Sequence, residues 1–150
     1  MIEVARETLS ALLADVKPLL EEHYEELALY AGEIPLDPDY DFYDAVERTG
    51  ILRIYTAREN GVLIGYAIYF ARKHHHYCQH TWAISDIILV QKQHRNFGVA
   101  TKLFNYLEAD MRLAGVDVMH TTTKAMHSEL AMFLTSRGHA LEGQSFSLRL

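Results

Sequence analysis

The sequence predicts a single mixed α/β domain over residues 1–150, with a mostly antiparallel sheet of six or seven strands flanked by about four helices. Two patterns predict this class. Apolar strands on either side of Asn60-Gly61 predict an antiparallel hairpin, because Asn-Gly accepts the positive φ angles of a tight turn. A strand, a helix and a second strand between residues 81 and 122 predict a parallel pair at the centre of the sheet. A chain of 150 residues is long enough to bury one core.

The first half of the chain predicts a weak first strand, two helices and the hairpin. Apolar residues at helical spacing predict a main first helix at 16–30. In this interpretation Asp15 is the N-cap, Pro18 lies in the first turn and Gly32 follows the helix end. The other predicted elements are a strand at 2–5, a helix at 39–48 with Phe42, Tyr43 and Val46 inward, and strands at 52–58 and 62–70.

The second half alternates strands and helices. A strand at 81–90 runs through a polar turn into a helix that begins near Phe97 and ends near Gly115. Three further elements are predicted: a strand at 116–122, a helix at 125–136 stopped by Gly138, and two short strands about Gly143 in the tail 139–150.

The composition is typical of a soluble cytoplasmic protein. Apolar residues make up 49% of the chain and charged residues 23%, which is ordinary for a globular domain. No apolar run approaches the ~20 residues of a membrane span, and the N-terminus lacks the basic region of a secretory signal. The single cysteine, Cys78, excludes an intrachain disulfide and fits a reducing compartment.

Charge is distributed unevenly along the chain, whose net charge is −6. Residues 1–50 carry 13 acidic and 3 basic side chains, whereas residues 51–150 carry 7 acidic and 11 basic ones. The acidic first third disfavours nucleic acid or an anionic membrane as its partner and favours a cationic one. A merely solvated helix face explains the same charge without function. The acidic residues of that face are Glu21, Glu22, Glu25 and Glu26.

The stretch from Asp86 to Leu107 carries the clearest functional signal. Its polar turn contains an R-x-x-G-x-A arrangement, Arg95 to Ala100, between an apolar strand and an amphipathic helix. A helix that begins in this way presents free backbone N–H groups at its positive end, where phosphate binds. Gly98 has no Cβ, so a ligand can approach the main chain. The turn therefore predicts a site for a phosphate-bearing ligand.

With this turn inside this order of elements, the chain resembles the GNAT superfamily of N-acetyltransferases over nearly all of its length. The strand before the turn ends in Ile-Leu-Val followed by a polar residue, as the family's strand does, and the hairpin with Gly65-Tyr66 is similar to the family's second and third strands. The segment AMFLTSRGH at 131–139 resembles the family's last helix. Within the family, the stretch HTWAISDIILVQKQHRNFGVATKL is most similar to small members encoded by phages and prophages.

The resemblance implies acetyl-CoA as co-substrate. The pantetheine arm is expected beside the strand that ends at Val90, bonded to its backbone like an added strand, with the pyrophosphate on the turn. Arg95 is expected to add positive charge to the helix end, although a tight turn with an exposed Arg95 is the alternative without a ligand. The positions implied to bind acetyl-CoA are Ile88, Leu89, Val90, Arg95, Asn96, Phe97, Gly98, Val99, Ala100, Thr101, Ser128 and Phe133.

Acetyl transfer to an amine needs an acceptor for the proton and donors for the oxyanion. Asp86 is the candidate proton acceptor, because it interrupts an apolar strand in which an unpaired carboxylate is costly. Strand alternation predicts that it shares a face with Trp82, Ile84 and Ile88. A structural carboxylate that caps or pairs near the splayed part of the sheet is the alternative. The oxyanion donor is expected to be a backbone N–H near Leu89 or Val90.

One position departs from the family pattern. Many members have a tyrosine four residues before the glycine of the last helix, acting as acid toward the CoA thiolate. Here that position is Leu134, four residues before Gly138. His127, Ser128 or solvent is left for this role, and a plain surface histidine is the alternative for His127.

The resemblance also implies that the acceptor enters over the first two helices, which carry the acidic residues. The predicted acceptor is a cationic primary amine on a small molecule, a protein or a peptide. The resemblance is compatible with a homodimer, whereas nucleic-acid and membrane partners are disfavoured. The residues expected to contact the acceptor are Tyr24, Glu25, Tyr30, Glu33 and Trp82.

Three alternatives to an acetyl-CoA-dependent N-acetyltransferase are a metal-binding protein, another enzyme of the same fold and a binding module without catalysis. Four histidines and Cys78 lie in segment 74–80, but we expect no metal there, because three adjacent histidines do not share one face of a strand. An enzyme of the same fold could use another acyl donor, or a modified base or tRNA as acceptor. The third alternative is a catalytically silent acyl-CoA-binding or interaction module. The family's catalytic tyrosine is absent, which is compatible with a protein that has lost the chemistry.

Overall fold

The computed structural model describes all 150 residues. It contains a five-stranded sheet, five α-helices and a short 3-10 turn at Lys92–His94. No helix is both long and apolar enough to cross a membrane. The strands are β1 (Ile2–Glu7), β2 (Leu52–Glu59), β3 (Val62–Lys73), β4 (Thr81–Val90) and β5 (Val118–His120). The helices are α1 (Leu9–Leu13), α2 (Lys17–Leu27), α3 (Tyr40–Arg48), α4 (Val99–Leu113) and α5 (Ser128–Ser136).

The mixed α/β class is confirmed, and the sheet has the order β1-β2-β3-β4-β5. The first four strands are antiparallel neighbours, and β5 is parallel to β4. The predicted hairpin is confirmed, with Asn60 at φ 51° and Gly61 at φ 83° between β2 and β3. The parallel pair lies at the edge of the sheet, so its predicted central place is wrong.

The predicted count of six or seven strands is wrong because residues 139–150 form no strand. Side-chain contacts attach this tail instead, including a 3.1 Å ion pair between Arg149 and Glu33 and a 2.9 Å contact between Glu142 and His120. Its apolar side chains stay in solvent, with Phe146 92% and Leu148 82% exposed. An alternating pattern predicts a strand, but a strand also needs a partner ladder, which the tail lacks.

The predicted helix at 16–30 is α2, which is shorter, and α1 is an additional helix before it, so there are five helices where about four were predicted. Thr8 caps α1 by accepting a hydrogen bond from Ala11 N at 3.3 Å. Asp15 does not cap α2, because its carboxylate pairs with Arg58 Nη1 at 2.7 Å, and Val16 takes the cap position. The extended backbone of Ala28, at ψ 120°, ends α2 before residue 30.

The core forms on both faces of the sheet. On one face α1 and α2 cover β2, β3 and the end of β4, with Leu12, Tyr66 and Leu89 fully buried. On the other face α4 and α5 cover Tyr69 and its neighbours. We call these the α2 face and the α4 face. Phe42 was expected inward but is 51% exposed, because only the edge of α3 reaches the sheet.

Close approach of β3 and β4 explains the need for a glycine near the functional turn. A Cβ at Gly65 would lie 2.9 Å from the backbone oxygen of Leu89. Gly65 pairs with Val90, and Gln91 N donates to Ile64 O at 2.9 Å, so β3 holds β4 up to the point where the turn begins. The other edge of β4 is different: β5 pairs only with Trp82–Ile84, so the stretch 85–90 has no strand beside it.

Candidate active site

A β-bulge places Asp86. The β3–β4 register pairs Ile68 with Ile87 and Tyr69 with Ser85, which leaves Asp86 as the extra residue. Its carboxylate oxygen Oδ2 accepts a hydrogen bond of 2.6 Å from the hydroxyl of Tyr43 on α3, so it lies on the α2 face. The side chain is exposed and paired, so Asp86 does not carry the cost of a buried, unpaired carboxylate.

The bulge also changes the predicted face pattern. Ile84 pairs with Phe70 of the α2 face, in agreement with a face shared with Asp86. Ile88 instead packs against the core of the α4 face, so its predicted place beside Asp86 is wrong. Alternation with period two is interrupted wherever an extra residue enters a strand, and the sequence carries no mark of this bulge.

Tyr43 connects the carboxylate to the core. Its ring stacks on Phe70 with 6.2 Å between centroids. Partial burial, followed by the hydrogen bond to Asp86, raises the pKa of Tyr43 well above its ordinary value, so the phenol stays protonated and donates. Sequence reasoning assigned this residue only to the core, because helical spacing shows which side of α3 is apolar but not which polar atom it meets.

The turn after β4 exposes its main chain. Asn96 at φ 69° and Gly98 at φ 74° take the left-handed conformation, and α4 begins at Val99. The first backbone bond of α4 is from Lys102 N to Gly98 O, at 3.0 Å. The N–H groups of residues 96–101 donate to no protein acceptor. Six successive free donors at a helix N-terminus form an anion-binding surface.

A cavity of about 430 Å³, which we call the turn cavity, opens beside these donors. It is formed by the end of β4, the turn, the first turn of α4 and the start of α5. Three of the twelve predicted acetyl-CoA positions lie elsewhere: Leu89 is buried in the α2 face, Phe97 is 72% exposed, and Ser128 is exposed at the start of α5. The nine predicted positions that line it are Ile88, Val90, Arg95, Asn96, Gly98, Val99, Ala100, Thr101 and Phe133.

Arg95 lines the turn cavity but is already paired. Its two terminal nitrogens bond to the carboxylate of Glu26 at 2.6 and 2.7 Å, and its Nε donates to Val90 O at 2.9 Å. The bidentate pair lowers the pKa of Glu26. Arg95 therefore ties the turn to α2, whereas the sequence predicted free positive charge for a phosphate.

A second cavity, of about 730 Å³, lies on the α2 face, and we call it the aromatic cavity. α1, α2, the segment 28–40, β3, β4, residues 122–126 and the tail at 145–147 all contribute to its lining. Of the 28 lining residues 20 are hydrophobic, and the charged ones are Asp37 and Lys124. Its tyrosines are Tyr24, Tyr30, Tyr40, Tyr43 and Tyr66.

The hydroxyl of Tyr66 is an unusual feature of this cavity's floor. The residue is 0% exposed, and its hydroxyl has no hydrogen-bond partner. Burial is the main cause that raises the pKa of Tyr66, and the nearby Tyr43 and Asp86 add to it. A buried hydroxyl without a partner costs stability, so the floor is not optimised for packing alone.

The five residues predicted to contact an acceptor are only partly together. Tyr24 and Tyr30 line the aromatic cavity, whereas Glu25, Glu33 and Trp82 do not. Tyr24 shapes it, since its hydroxyl donates to Ile34 O at 2.5 Å and accepts from Gly32 N at 3.1 Å. Trp82 packs against His74, 4.3 Å between ring centroids. No group of three or more His, Cys, Asp or Glu side chains is arranged to hold a metal ion.

The segment 122–127 separates the two cavities. Residues 122–126 line the aromatic cavity, whereas His127, half-buried at the N-cap of α5, lines the turn cavity. His23 on α2 lies near Glu26, His127 and Arg95, and burial lowers its pKa. Sequence reasoning did not select His23, because a histidine on a polar helix face carries no signal of what packs over it.

Comparison with known proteins gives a family match over residues 15–138, to the acetyltransferase (GNAT) family. No curated protein sequence matches the chain. A ribosomal-protein-alanine N-acetyltransferase from Brucella melitensis biovar Abortus 2308 has a similar structure, with 17% identity, a TM-score of 0.74 and coverage of 100% of this chain and 99% of that one. An aminoglycoside acetyltransferase from an uncultured soil metagenomic sample has 19% identity, a TM-score of 0.77 and the same coverage.

A third solved structure, AAC(6')-Iy in complex with a CoA bisubstrate analogue, has 18% identity, a TM-score of 0.68 and coverage of 100% of this chain and 98% of that one. At these identities the structures establish the shared fold. The family match spans most of the sequence and includes the turn and the α5 helix. The chain therefore belongs to the GNAT family, acyltransferases that use acetyl-CoA as co-substrate.

Proposed function

We propose that the protein transfers the acetyl group of acetyl-CoA to a primary amine, with the CoA pyrophosphate on residues 96–101 and Asp86 as the proton acceptor. The observation that carries the proposal is the run of six free N–H groups beside the turn cavity. A doubly charged pyrophosphate suits these donors, because the helix end supplies positive potential and Gly98 lets the ligand reach the main chain.

The unpaired edge of β4 suits the pantetheine arm. Residues 85–90 have no neighbouring strand on the β5 side, so their outward backbone groups can bond an extended chain containing amides, except Val90 O, which accepts from Arg95 Nε. Ile88 and Val90 line the turn cavity and give this edge an apolar wall. The acetyl group would then lie near the bulge at Asp86, whose carboxylate lies on the α2 face.

Asp86 is suited to take the proton of the attacking amine. Tyr43 occupies Oδ2 and fixes the carboxylate, which leaves Oδ1 for the amine. The amine reacts in its neutral form, after its ammonium proton has passed to solvent. The nitrogen–carbonyl bond then forms, the carbon–sulfur bond of the thioester breaks, and the second amine proton goes to Asp86. The leaving thiolate takes a proton from His127, which lines the turn cavity, or from solvent.

The solved relatives favour an amine acceptor but not one amine. By their names, one acts on an alanine of a ribosomal protein and another on aminoglycosides. A cationic acceptor, the likeness to phage-encoded members, a homodimer and a cytoplasmic location all stay predictions. Leu134 takes the family's tyrosine position and is buried in the core at 5% exposure, so it offers no acid. This observation favours a silent acyl-CoA-binding module as the second candidate function.

Turnover separates the two candidates. The experiment follows thiol release from acetyl-CoA with a panel of small amines and peptides, and measures acetyl-CoA binding by calorimetry on the same protein. We expect amine-dependent thiol release and a stoichiometric acetylated product. Acetyl-CoA binding without release for any amine would replace the enzyme with the silent module.

A further inference from the structure

The aromatic cavity indicates what kind of amine the site accepts. Resting on the proposed acetyl transfer, we propose that the acceptor is a primary amine with a single positive charge on an apolar, ring-bearing body. This class is narrower than the cationic primary amine on a small molecule, a protein or a peptide that the sequence predicts. Three features of the cavity carry the inference: its charges, its apolar mouth and its rings.

The cavity contains no surplus of negative charge. Asp37 and Lys124 are its charged lining residues and offset each other. One further carboxylate, Asp86, adjoins it through the hydroxyl of Tyr43. One ammonium group is therefore matched, whereas a second one would be desolvated against an apolar wall without a partner.

Three acidic side chains of the first third have partners outside the cavity. Glu26 holds Arg95 in a bidentate pair, and Glu22 accepts a hydrogen bond from Lys92 N at 3.3 Å. Glu33 pairs with Arg149 at 3.1 Å. None of the three lines the cavity, so their charge organises the turn and the tail instead of an acceptor.

The mouth of the cavity is apolar and exposed. Leu29 is 62% exposed, Met126 61% and Ile34 47%, and all three line the cavity. A ligand with an apolar body removes these side chains from water, and a polar ligand does not. Phe146 of the tail also lines the cavity, but it is 92% exposed, so the tail leaves the mouth open to solvent.

The rings give the cavity a preference for a flat body. Tyr24, Tyr30 and Tyr40 line its walls. Tyr43 also lines the cavity, and its hydroxyl bonds the carboxylate of Asp86. Aromatic pairs add to burial, and an ammonium beside a ring is stabilised by its negative face. An amine nitrogen one or two carbons from a ring meets both features.

The test compares 2-phenylethylamine, spermidine and a polar alanine-initiated peptide as acceptors, in two variants with the same added charge. Met126→Glu places a carboxylate at the cavity mouth. Met132→Glu is the matched control, because Met132 is 72% exposed on α5 and lines neither cavity. Rates give kcat/KM for each amine, and calorimetry with CoA present gives amine binding without chemistry.

For the wild-type chain we expect kcat/KM for 2-phenylethylamine to exceed that for the other two acceptors by about tenfold or more. Met126→Glu should lower the ratio of kcat/KM for 2-phenylethylamine to kcat/KM for spermidine or the peptide by about fivefold or more. Met132→Glu should leave both ratios unchanged. A preference for spermidine or the peptide, no binding of 2-phenylethylamine, or equal effects of the two variants would overturn the inference. Binding of 2-phenylethylamine in the expected order without acetylation of any amine would instead contradict the proposed acetyl transfer and leave the acceptor class standing.

Discussion

The turn cavity and the aromatic cavity are built in opposite ways. The turn cavity presents main-chain N–H groups from one contiguous stretch, residues 96–101, together with the free edge of β4. The aromatic cavity is made of side chains from segments more than a hundred residues apart, from Leu9 to Ser147. In the proposed function the main-chain donors bind acetyl-CoA, the co-substrate that the family shares, whereas the side chains of the aromatic cavity select the acceptor. The two regions meet at Asp86, which belongs to neither lining.

Asp86→Asn tests this meeting point and has the largest expected effect. The amide can still accept the hydrogen bond from Tyr43, but it cannot take a proton from the amine. We expect kcat to fall by about 10²–10⁴. Acetyl-CoA affinity, measured by calorimetry, should not change. Asp44→Asn is the control, since Asp44 pairs only with Arg48 on the exposed side of α3. A loss of acetyl-CoA affinity equal to the loss of kcat would place Asp86 inside the turn cavity.

Gly98→Val tests whether backbone geometry defines the turn cavity. Gly98 has φ 74°, a conformation that costs an L-residue about 1–2 kcal/mol. Gly98 also lines the turn cavity, so a branched side chain there takes up space that the ligand needs. We expect the KM for acetyl-CoA to rise by about 10- to 100-fold, from the lost anion contacts.

Gly50→Val is the matched control for that variant. Gly50 has φ 77° and, like Gly98, nothing within 4 Å of an added Cβ, but it follows α3 far from the turn along the chain. The two variants should lose similar thermal stability. If Gly50→Val raises the acetyl-CoA KM as much as Gly98→Val does, strain and not the turn explains the effect.

Tyr43→Phe tests whether the aromatic cavity positions the carboxylate. The variant keeps the ring on Phe70 and removes the hydrogen bond to Asp86. We expect kcat to fall by about tenfold, because the carboxylate is no longer held, with little change in the acetyl-CoA KM. Tyr55→Phe is the control, since Tyr55 makes the equivalent 2.7 Å bond to Asp110 on the α4 face. Equal loss of kcat in both variants would show a general loss of structure instead of a positioning role.

Tyr66→Phe has the smallest expected effect and the opposite sign. Removing a buried hydroxyl without a partner should raise the free energy of unfolding by about 1 kcal/mol. Tyr69→Phe should lower it by about 1 kcal/mol, because that hydroxyl bonds Thr121 at 3.0 Å. Urea denaturation measures both. A destabilised Tyr66→Phe variant would show that the floor of the aromatic cavity has a polar partner in solution.

The same contrast explains what the sequence could predict. β4 was predicted with its observed bounds, Thr81–Val90, and the turn with its glycine, because backbone geometry depends on local residue types. Nine of the twelve acetyl-CoA positions lie together for this reason. Leu89 is one of the three exceptions, and strand alternation explains it, because Leu89 faces the opposite side from Ile88 and Val90.

Long-range contacts were beyond sequence reasoning. Asp15 was predicted to cap the first helix, but its carboxylate pairs with Arg58, 43 residues away. The partner of Arg95 is Glu26, 69 residues away, and the partner of Asp86 is Tyr43, again 43 residues away. Each pair joins segments that are far apart along the chain, and one sequence shows the polar residues without showing which of them meet. The strands predicted for the tail are wrong for a related reason: an alternating pattern does not show whether another strand lies beside it to pair with.

Amide chemical-shift mapping by NMR tests the division between the two cavities most directly. Coenzyme A and then 2-phenylethylamine are titrated into the ¹⁵N-labelled protein. We predict that coenzyme A gives its largest amide shifts at residues 96–101, because their free N–H groups become donors to phosphate. The amine should then shift amides of α2, α3 and residues 122–126, with residues 96–101 unmoved. Largest shifts for coenzyme A at α2 and α3, or no shift at 96–101, would contradict the account.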